Sequence, residues 1–224
     1  MDIPIELDLA ALFKRAGIEP DTTEAERFEW LIQEVHVQAS PKAIYKAAFI
    51  EAKGVDTVII DGVEFRSRAL RMNLDKAERV FPYIATCGHE LDQINVPEDD
   101  EQAHHWLDVI KAEILMQCLR FLKDLLNHKY MPGRTSTMNP GSGDAAVWPI
   151  EQQRELFSFF GDVQRLIGVT LTEDFVMIPD KTVSGIRFPT QLDFRSCQIC
   201  RREDCPLRKA SFNRDLWESL MREH

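Results

Sequence analysis

Three cysteines crowd one short stretch near the C-terminal end, Cys197-Gln198-Ile199-Cys200-Arg201-Arg202-Glu203-Asp204-Cys205-Pro206. A Cys-x2-Cys turn brings two thiolates to one side of a tight loop, close enough to share a metal. The third cysteine, four residues on and followed by proline, can close back on the same ion, as in bacterial iron–sulfur runs. Arg201, Arg202, Arg208 and Lys209 would lower the thiol pKa values and offset the charge of a thiolate-bound centre. The plainer reading is three unligated thiols beside a basic turn. Zinc or an iron–sulfur cluster would each want a fourth ligand. Cys87, in Thr86-Cys87-Gly88-His89-Glu90, follows a strand pattern and reads equally as exposed at the strand end, the better fourth ligand, or as packed in the core. Cys118 lies in an apolar helical run and reads as a small core residue.

The other chemistry-bearing types form weaker patterns. His104 and His105 are adjacent, so on a helix they point about 100° apart and cannot chelate as an i,i+4 pair would. The acidic run Glu98-Asp99-Asp100-Glu101 reads as a solvated loop with favourable charge at a helix N-terminus. No glycine-rich phosphate fingerprint, P-loop or nucleophile–histidine–acid order stands out. A Cys-x3-Cys-x2-Cys triad for radical chemistry is absent.

The whole chain restricts the partners. Its 224 residues carry a formal charge of −10, which disfavours nucleic acid and anionic lipid surfaces. The N-terminal residues lack the basic start and apolar run of a signal peptide. No stretch approaches the roughly 18 apolar residues of a membrane helix. Five cysteines, an odd number, read as reduced thiols and a cytoplasmic location.

The elements that must position these groups follow from periodicity. Ile3, Ile5 and Leu7 alternate with polar neighbours and predict a short strand, followed by a helix from about 8 to 16. Overlapping capping boxes, Asp21 with Glu24 and Thr23 with Glu26, open a helix whose apolar face runs from Ala25 to Ala39 and stops at Ser40-Pro41. Val58–Ile60, Val63–Phe65 and Val80–Ile84 are strand candidates, with Asp61-Gly62 as a hairpin turn. A wide apolar arc from Glu101 to Tyr130 predicts a long, largely buried helix. Residues 131–144, with Pro132-Gly133 and Pro140-Gly141, read as loop. Trp148-Pro149 opens a further helix to about Ile167. Strands are expected over 174–178 and 183–188, then the cysteine segment and a short terminal helix. The mixture predicts an α+β fold with an antiparallel or mixed sheet and long helices, residues 1–190 as the body and 191–224 as a cysteine-bearing segment packed on it.

Leu171-Thr172-Glu173-Asp174-Phe175-Val176-Met177-Ile178-Pro179, continuing to Val183-Ser184-Gly185, resembles a stretch of the activation domain of cobalamin-dependent methionine synthases. That stretch reads Leu-Thr-Glu-Ser-Phe-x-Met-x-Pro-x-x-Ser-Val-Ser-Gly. Upstream, Arg134 with Asn139-Pro140-Gly141-Ser142 and Trp148-Pro149 is similar to that domain's adenosylmethionine loop, Arg-x-x-Pro-Gly-Tyr. Thr86-Cys87-Gly88-His89-Glu90-Leu91 is similar to a Thr-x-Gly-x-Glu-Leu element of short relatives. The resemblance is strongest over 134–188. It implies a helmet-like α+β domain that docks over a corrinoid carried by a partner protein or methyltransferase. It also implies S-adenosylmethionine as methyl donor when the cobalt has been oxidised to Co(II). By the same resemblance Arg134, Asn139, Pro140, Gly141, Ser142, Ser184 and Gly185 would contact the donor. Ser142 stands where the family has tyrosine, and two extra residues separate Arg134 from Pro140. Gln117-Cys118 stands about where the family helix has an acid. Donor binding is therefore expected to be weak, or to occur only when the corrinoid partner closes the site.

The sequence thus points to reactivation or methylation of a corrinoid, with an iron–sulfur cluster at Cys197, Cys200, Cys205 and Cys87 as a possible electron source. The alternative is a non-catalytic corrinoid-protein docking or assembly module with structural zinc at the same cysteines.

Overall fold

A computed structural model describes residues 1–131, 133–142, 146–191, 194–203 and 208–221. Two helices lead the chain, α1 (Leu9–Ala16) and α2 (Thr23–Gln38). Four strands follow: β1 (Lys42–Tyr45), β2 (Ala48–Lys53), β3 (Thr57–Ile60) and β4 (Val63–Arg66). Next come α3 (Arg68–Asn73), β5 (Arg79–Thr86), the long α4 (Glu101–Tyr130) and β6 (Thr135–Met138). Two short helices, α5 (Gln153–Ser158) and α6 (Val163–Ile167), precede β7 (Thr170–Leu171), β8 (Met177–Ile178) and β9 (Thr182–Pro189). A single turn of 3-10 helix at Ser196–Ile199 and α7 (Arg214–Met221) close the described chain.

All pairings are antiparallel, in the order β4-β3-β2-β5-β9-β6, and β1 lies beside β2 along the same edge of β5. The break between β1 and β2 falls opposite Pro82. Its carbonyl accepts from the Lys46 amide at 3.0 Å, so its missing N–H faces that same edge. A proline there removes one rung of the ladder, and the neighbouring strand bends away.

Alternation along β5 feeds two cores. Phe81, Tyr83 and Ala85, with Cys87 just beyond the strand, pack against α1, α2 and α4 through Phe28, Trp106, Ile110 and Leu122. Val80 and Ile84 face the other way, toward α3, α5 and α6, with Phe65, Leu70, Trp148, Ile186 and Phe188. Each such large side chain, fully removed from water, contributes roughly 1.5–3 kcal/mol, enough to force the period-two register. The helix side and the far side of the sheet are thus separate apolar layers.

Several expectations need correction. Ile3, Ile5 and Leu7 form no strand; only an isolated bridge joins Asp2 to Lys42, because the segment lies over α4 instead. Gln117 of α4 holds it there, with its side-chain amide bonded to the Glu6 N–H (3.0 Å) and carbonyl (2.7 Å). The cap of α2 is Thr22, not Asp21 or Thr23. The helix expected to reach Ile167 breaks into α5 and α6, because Gly161 takes a positive φ of 69° and Asp162 starts a new cap. Residues 135–138, expected as loop, form the edge strand β6. The helix over Glu101–Tyr130 and the hairpin turn at Asp61-Gly62, both with positive φ, are as expected.

Candidate functional site

The helix-side face of β9 and its neighbours carries a polar seam. Period-two alternation turns Val183, Gly185 and Arg187 to that face and Ser184, Ile186 and Phe188 to the other. Gly185 pairs with Tyr83 of β5, and a Cβ at Gly185 would stand 2.7 Å from the Met138 carbonyl and still closer to the Asn139 amide. Only glycine permits that approach. Asn139, just beyond β6, donates through Nδ2 to the Tyr83 hydroxyl at 3.3 Å and to the Ser184 carbonyl. Burial pushes the Tyr83 phenol up from its ordinary value, against the opposing effects of the Asn139 bond and the Arg187 charge. Arg187, half-buried, donates from Nη1 to Thr135 Oγ1 at 2.8 Å. Burial lowers its pKa, while Tyr83 and the Asp124 carboxylate of α4 oppose that shift. A guanidinium remains charged in proteins, so the seam presents a fixed cation beside a phenol, a carboxamide and a flush glycine. Such a set can hold a carboxylate and the polar edge of a small ligand.

The cysteine segment is organised around Arg208. Its guanidinium donates to the carbonyls of Cys197 (3.1 Å), Cys200 (3.1 Å), Ala210 (3.2 Å) and Arg202. One guanidinium thus ties the end of the 3-10 turn to the chain on either side of it. Cys197 Sγ accepts the Lys209 amide N–H at 3.3 Å, and Cys200 closes the same turn. Ile199, between the two thiols, is fully buried in the far-side core together with Phe194 and Leu220. Arg201 stacks on the Trp217 ring of α7 at 4.9 Å. Cys205 lies outside the described residues, and among those described no three His, Cys, Asp or Glu side chains gather as a metal site.

Comparison with known proteins is narrow but specific. No family model matches the sequence, and no curated protein matches it. A solved structure described as the MetH reactivation domain bound to AdoHcy matches with a TM-score of 0.55 at 14% identity. The match covers 85% of this chain and 79% of that one. The chain has the fold of the MetH reactivation domain.

Within this reactivation-domain fold the expected ligand residues divide. Asn139, Pro140, Gly141 and Ser142 form one turn, in which the Ser142 amide bonds the Asn139 carbonyl at 3.1 Å. Proline followed by a glycine with φ of 73° is the type II turn pattern. The turn is tied down by the bond from the Gly141 amide to the Trp148 carbonyl, 2.9 Å. Gly143 and Asp144 lie outside the described residues. Gly185 joins the turn at the seam. Ser184 does not: its hydroxyl is buried on the far side and donates to Gln153 Oε1 at 3.0 Å. Arg134 does not either. It precedes β6 while Asn139 follows it, so the two lie roughly 16 Å apart along the strand and on opposite faces. Cys87 also stands apart from Cys197 and Cys200. It is buried in the helix-side core, not exposed at a strand end, and burial pushes its thiol up to about 12. Ile199 sits in the opposite core, so the sheet lies between them.

Tyr83, Thr135, Arg187 and Asp124 were not anticipated as site residues. The readable signal was Arg187, a charge inside an apolar strand pattern of Val183, Ile186 and Phe188. Thr135 was hidden because the flanking Pro-Gly pairs made 131–144 read as loop. His104 and His105 are exposed on the first turns of α4, as expected of surface residues, and Cys118 is buried in it. No helix among the described residues is long and apolar enough to cross a membrane.

Proposed function

We propose that the chain serves the reductive methylation of a corrinoid carried by a partner protein, with S-adenosylmethionine as methyl donor held along the seam. One observation carries this reading: the fold is that of a domain solved with AdoHcy, the form of the donor that has lost its methyl group. Arg187 takes the role first assigned to Arg134, holding the donor's carboxylate beside Asn139 and Gly185. The turn Asn139–Ser142 offers backbone groups to the donor's polar edge, and α4 walls one side through Asp124. The corrinoid is substrate here: its cobalt, reduced by one electron from Co(II) to Co(I), takes the sulfonium methyl and leaves AdoHcy. This chain's residues orient the donor and shield the reacting pair from water, which is where a protein adds most to cofactor chemistry.

The electron is assigned to a thiolate-bound iron–sulfur centre on Cys197, Cys200 and Cys205, without Cys87. The amide-to-sulfur bond at Cys197 is of the kind that stabilises a thiolate ligand, and the carbonyls gathered by Arg208 hold the Cys197–Cys200 turn in place. Structural zinc at the same cysteines supports the second reading, a corrinoid-protein docking module. Anaerobic purification decides: a brown protein with iron and acid-labile sulfide supports the electron role, and a colourless zinc protein supports the module. Methyl transfer is tested directly with cob(II)alamin, titanium(III) citrate and methyl-labelled S-adenosylmethionine. Label should pass to cobalamin faster than without protein. Equal rates with and without the chain would overturn the methylation reading.

A further inference from the structure

Away from the seam, a groove of about 520 Å³ opens where α2 lies against the start of α4. Its buried floor is Leu31, Ala103 and Trp106, and its rim is Val96 and Pro97 from the loop before α4 and Trp30 from α2. Trp30 keeps 60% of its surface in water. Val37 stands seven residues on, two turns along the same stripe of α2, and is 83% exposed. The pair spans roughly 10 Å of helix at 1.5 Å per residue. An apolar stripe that runs on past its groove matches an elongated polypeptide better than a compact ligand.

The charge around the groove is one-sided. Residues 23–31 and 95–106 build it, all of them described, and they hold seven Asp or Glu against Arg27 as the one Lys or Arg. Arg27 is already in use: its guanidinium lies over the Trp106 ring at 5.4 Å and pairs with Asp100. Asp100 is in use as well, as the cap of α4, accepting the Ala103 N–H at 3.0 Å. Glu26 on α2, and Glu98 and Asp99 in the loop, form no ion pair among the described residues. A concave surface of one sign focuses its field, here toward cations, and an exposed indole face attracts them too.

We propose that this groove docks a basic amphipathic helix of a partner protein. The aliphatic face of that helix lies along Trp30 and Val37, with one side chain entering the groove toward Leu31 and Ala103. Its lysines or arginines meet Glu26, Glu98 and Asp99. Trp30 is the anchor, a large aromatic beside a groove that a partner can dry. A second copy of this chain would bring the same carboxylates together, and nucleic acid and anionic lipid meet the same repulsion. The groove lies roughly 30 Å along α4 from Asp124, so the helix docks without touching a ligand held at the seam.

Calorimetry on the full chain tests this with three synthetic peptides: an amphipathic lysine–leucine helix, the same helix with glutamate for lysine, and the same helix with serine for leucine. The lysine–leucine peptide should saturate one site, and the other two should each bind at least about tenfold more weakly. Trp30→Ala and Glu26→Lys, both on the exposed side of α2, should each weaken it about tenfold or more. Glu173→Lys makes the same change of net charge on an exposed residue elsewhere and should leave binding unchanged. Thermal unfolding checks that each variant is folded. No saturable binding to roughly 1 mM, or a control peptide binding as tightly, would overturn the proposal. So would indifference to Trp30→Ala, or an equal loss in Glu173→Lys, which would reduce the effect to net charge. A dimer of the chain that dissociates in Trp30→Ala, read by sedimentation, would overturn it in favour of a second copy.

Discussion

At the scale of single residues, the four described cysteines separate by environment. Burial pushes Cys87 and Cys118 each up to about 12, in the same helix-side core. At pH 8 the thiolate fraction of each is therefore on the order of one in ten thousand, and thiolates, not thiols, are what alkylate. Brief iodoacetamide treatment of the native, metal-stripped protein at pH 8 should label Cys197 and Cys200 and spare Cys87 and Cys118, read by peptide mass spectrometry. Raising the pH toward 12 should expose the buried pair only as fast as the fold opens. Equal labelling of Cys87 with Cys200 in the folded protein would contradict the assignment of Cys87 to the core. Arg208 makes a second residue-scale prediction. It joins four carbonyls, two of them from cysteines, so Arg208→Ala should strip the metal nearly as completely as Cys200→Ser while the melting of the body stays within a few degrees.

At the scale of elements, the seam depends on how closely β6 lies against β9. Adding a methyl at Gly185 drives into the Met138 carbonyl and the Asn139 amide, neither of which can move without opening the β6–β9 ladder. Gly185→Ala should cost about 1–3 kcal/mol in urea unfolding and weaken AdoHcy binding in parallel. Loss of neither would mean the strand edge is looser than its contacts indicate. The same elements mark how far the sequence could be read. The long α4 was legible end to end because thirty residues of apolar arc and an Asp100 cap agree. Strand β9 was legible from Val183, Ile186 and Phe188, and the family segment added Gly185. Strand β6 was not, because Thr135-Ser136-Thr137-Met138 is four residues between two glycine-rich turns, and only pairing with β9 makes it a strand. That one difference separates Arg134, before β6, from Asn139, after it, and sets Arg187 beside Thr135 on the seam face. Register decided both: a residue's face in a sheet depends on long-range pairing that no local pattern contains. Ser184 is parted from the seam in the same way, one position from Gly185 and on the other side of the sheet.

At the scale of the whole molecule, one sheet separates two working faces. The helix side holds the seam, and the far side holds the cysteine segment, docked through Phe194, Ile199 and Leu220. Removing residues 191–224 should leave a folded body, because the helix-side core and the sheet do not depend on it. The truncated chain should lose about 2–5 kcal/mol through those three exposed contacts, measured by chemical denaturation. It should keep AdoHcy binding and lose all metal. A truncated chain that no longer folds would make the segment part of the body instead. The account rests on the claim that a reactivation-domain fold with only 14% identity to its solved counterpart still keeps a donor site at the seam. Calorimetric titration of the full chain with AdoHcy tests that most directly. The account predicts saturable one-to-one binding that falls about tenfold or more in Arg187→Ala and Asn139→Ala and is unchanged in Arg134→Ala. Absence of heat to roughly 1 mM, or loss of binding in Arg134→Ala alone, would contradict it.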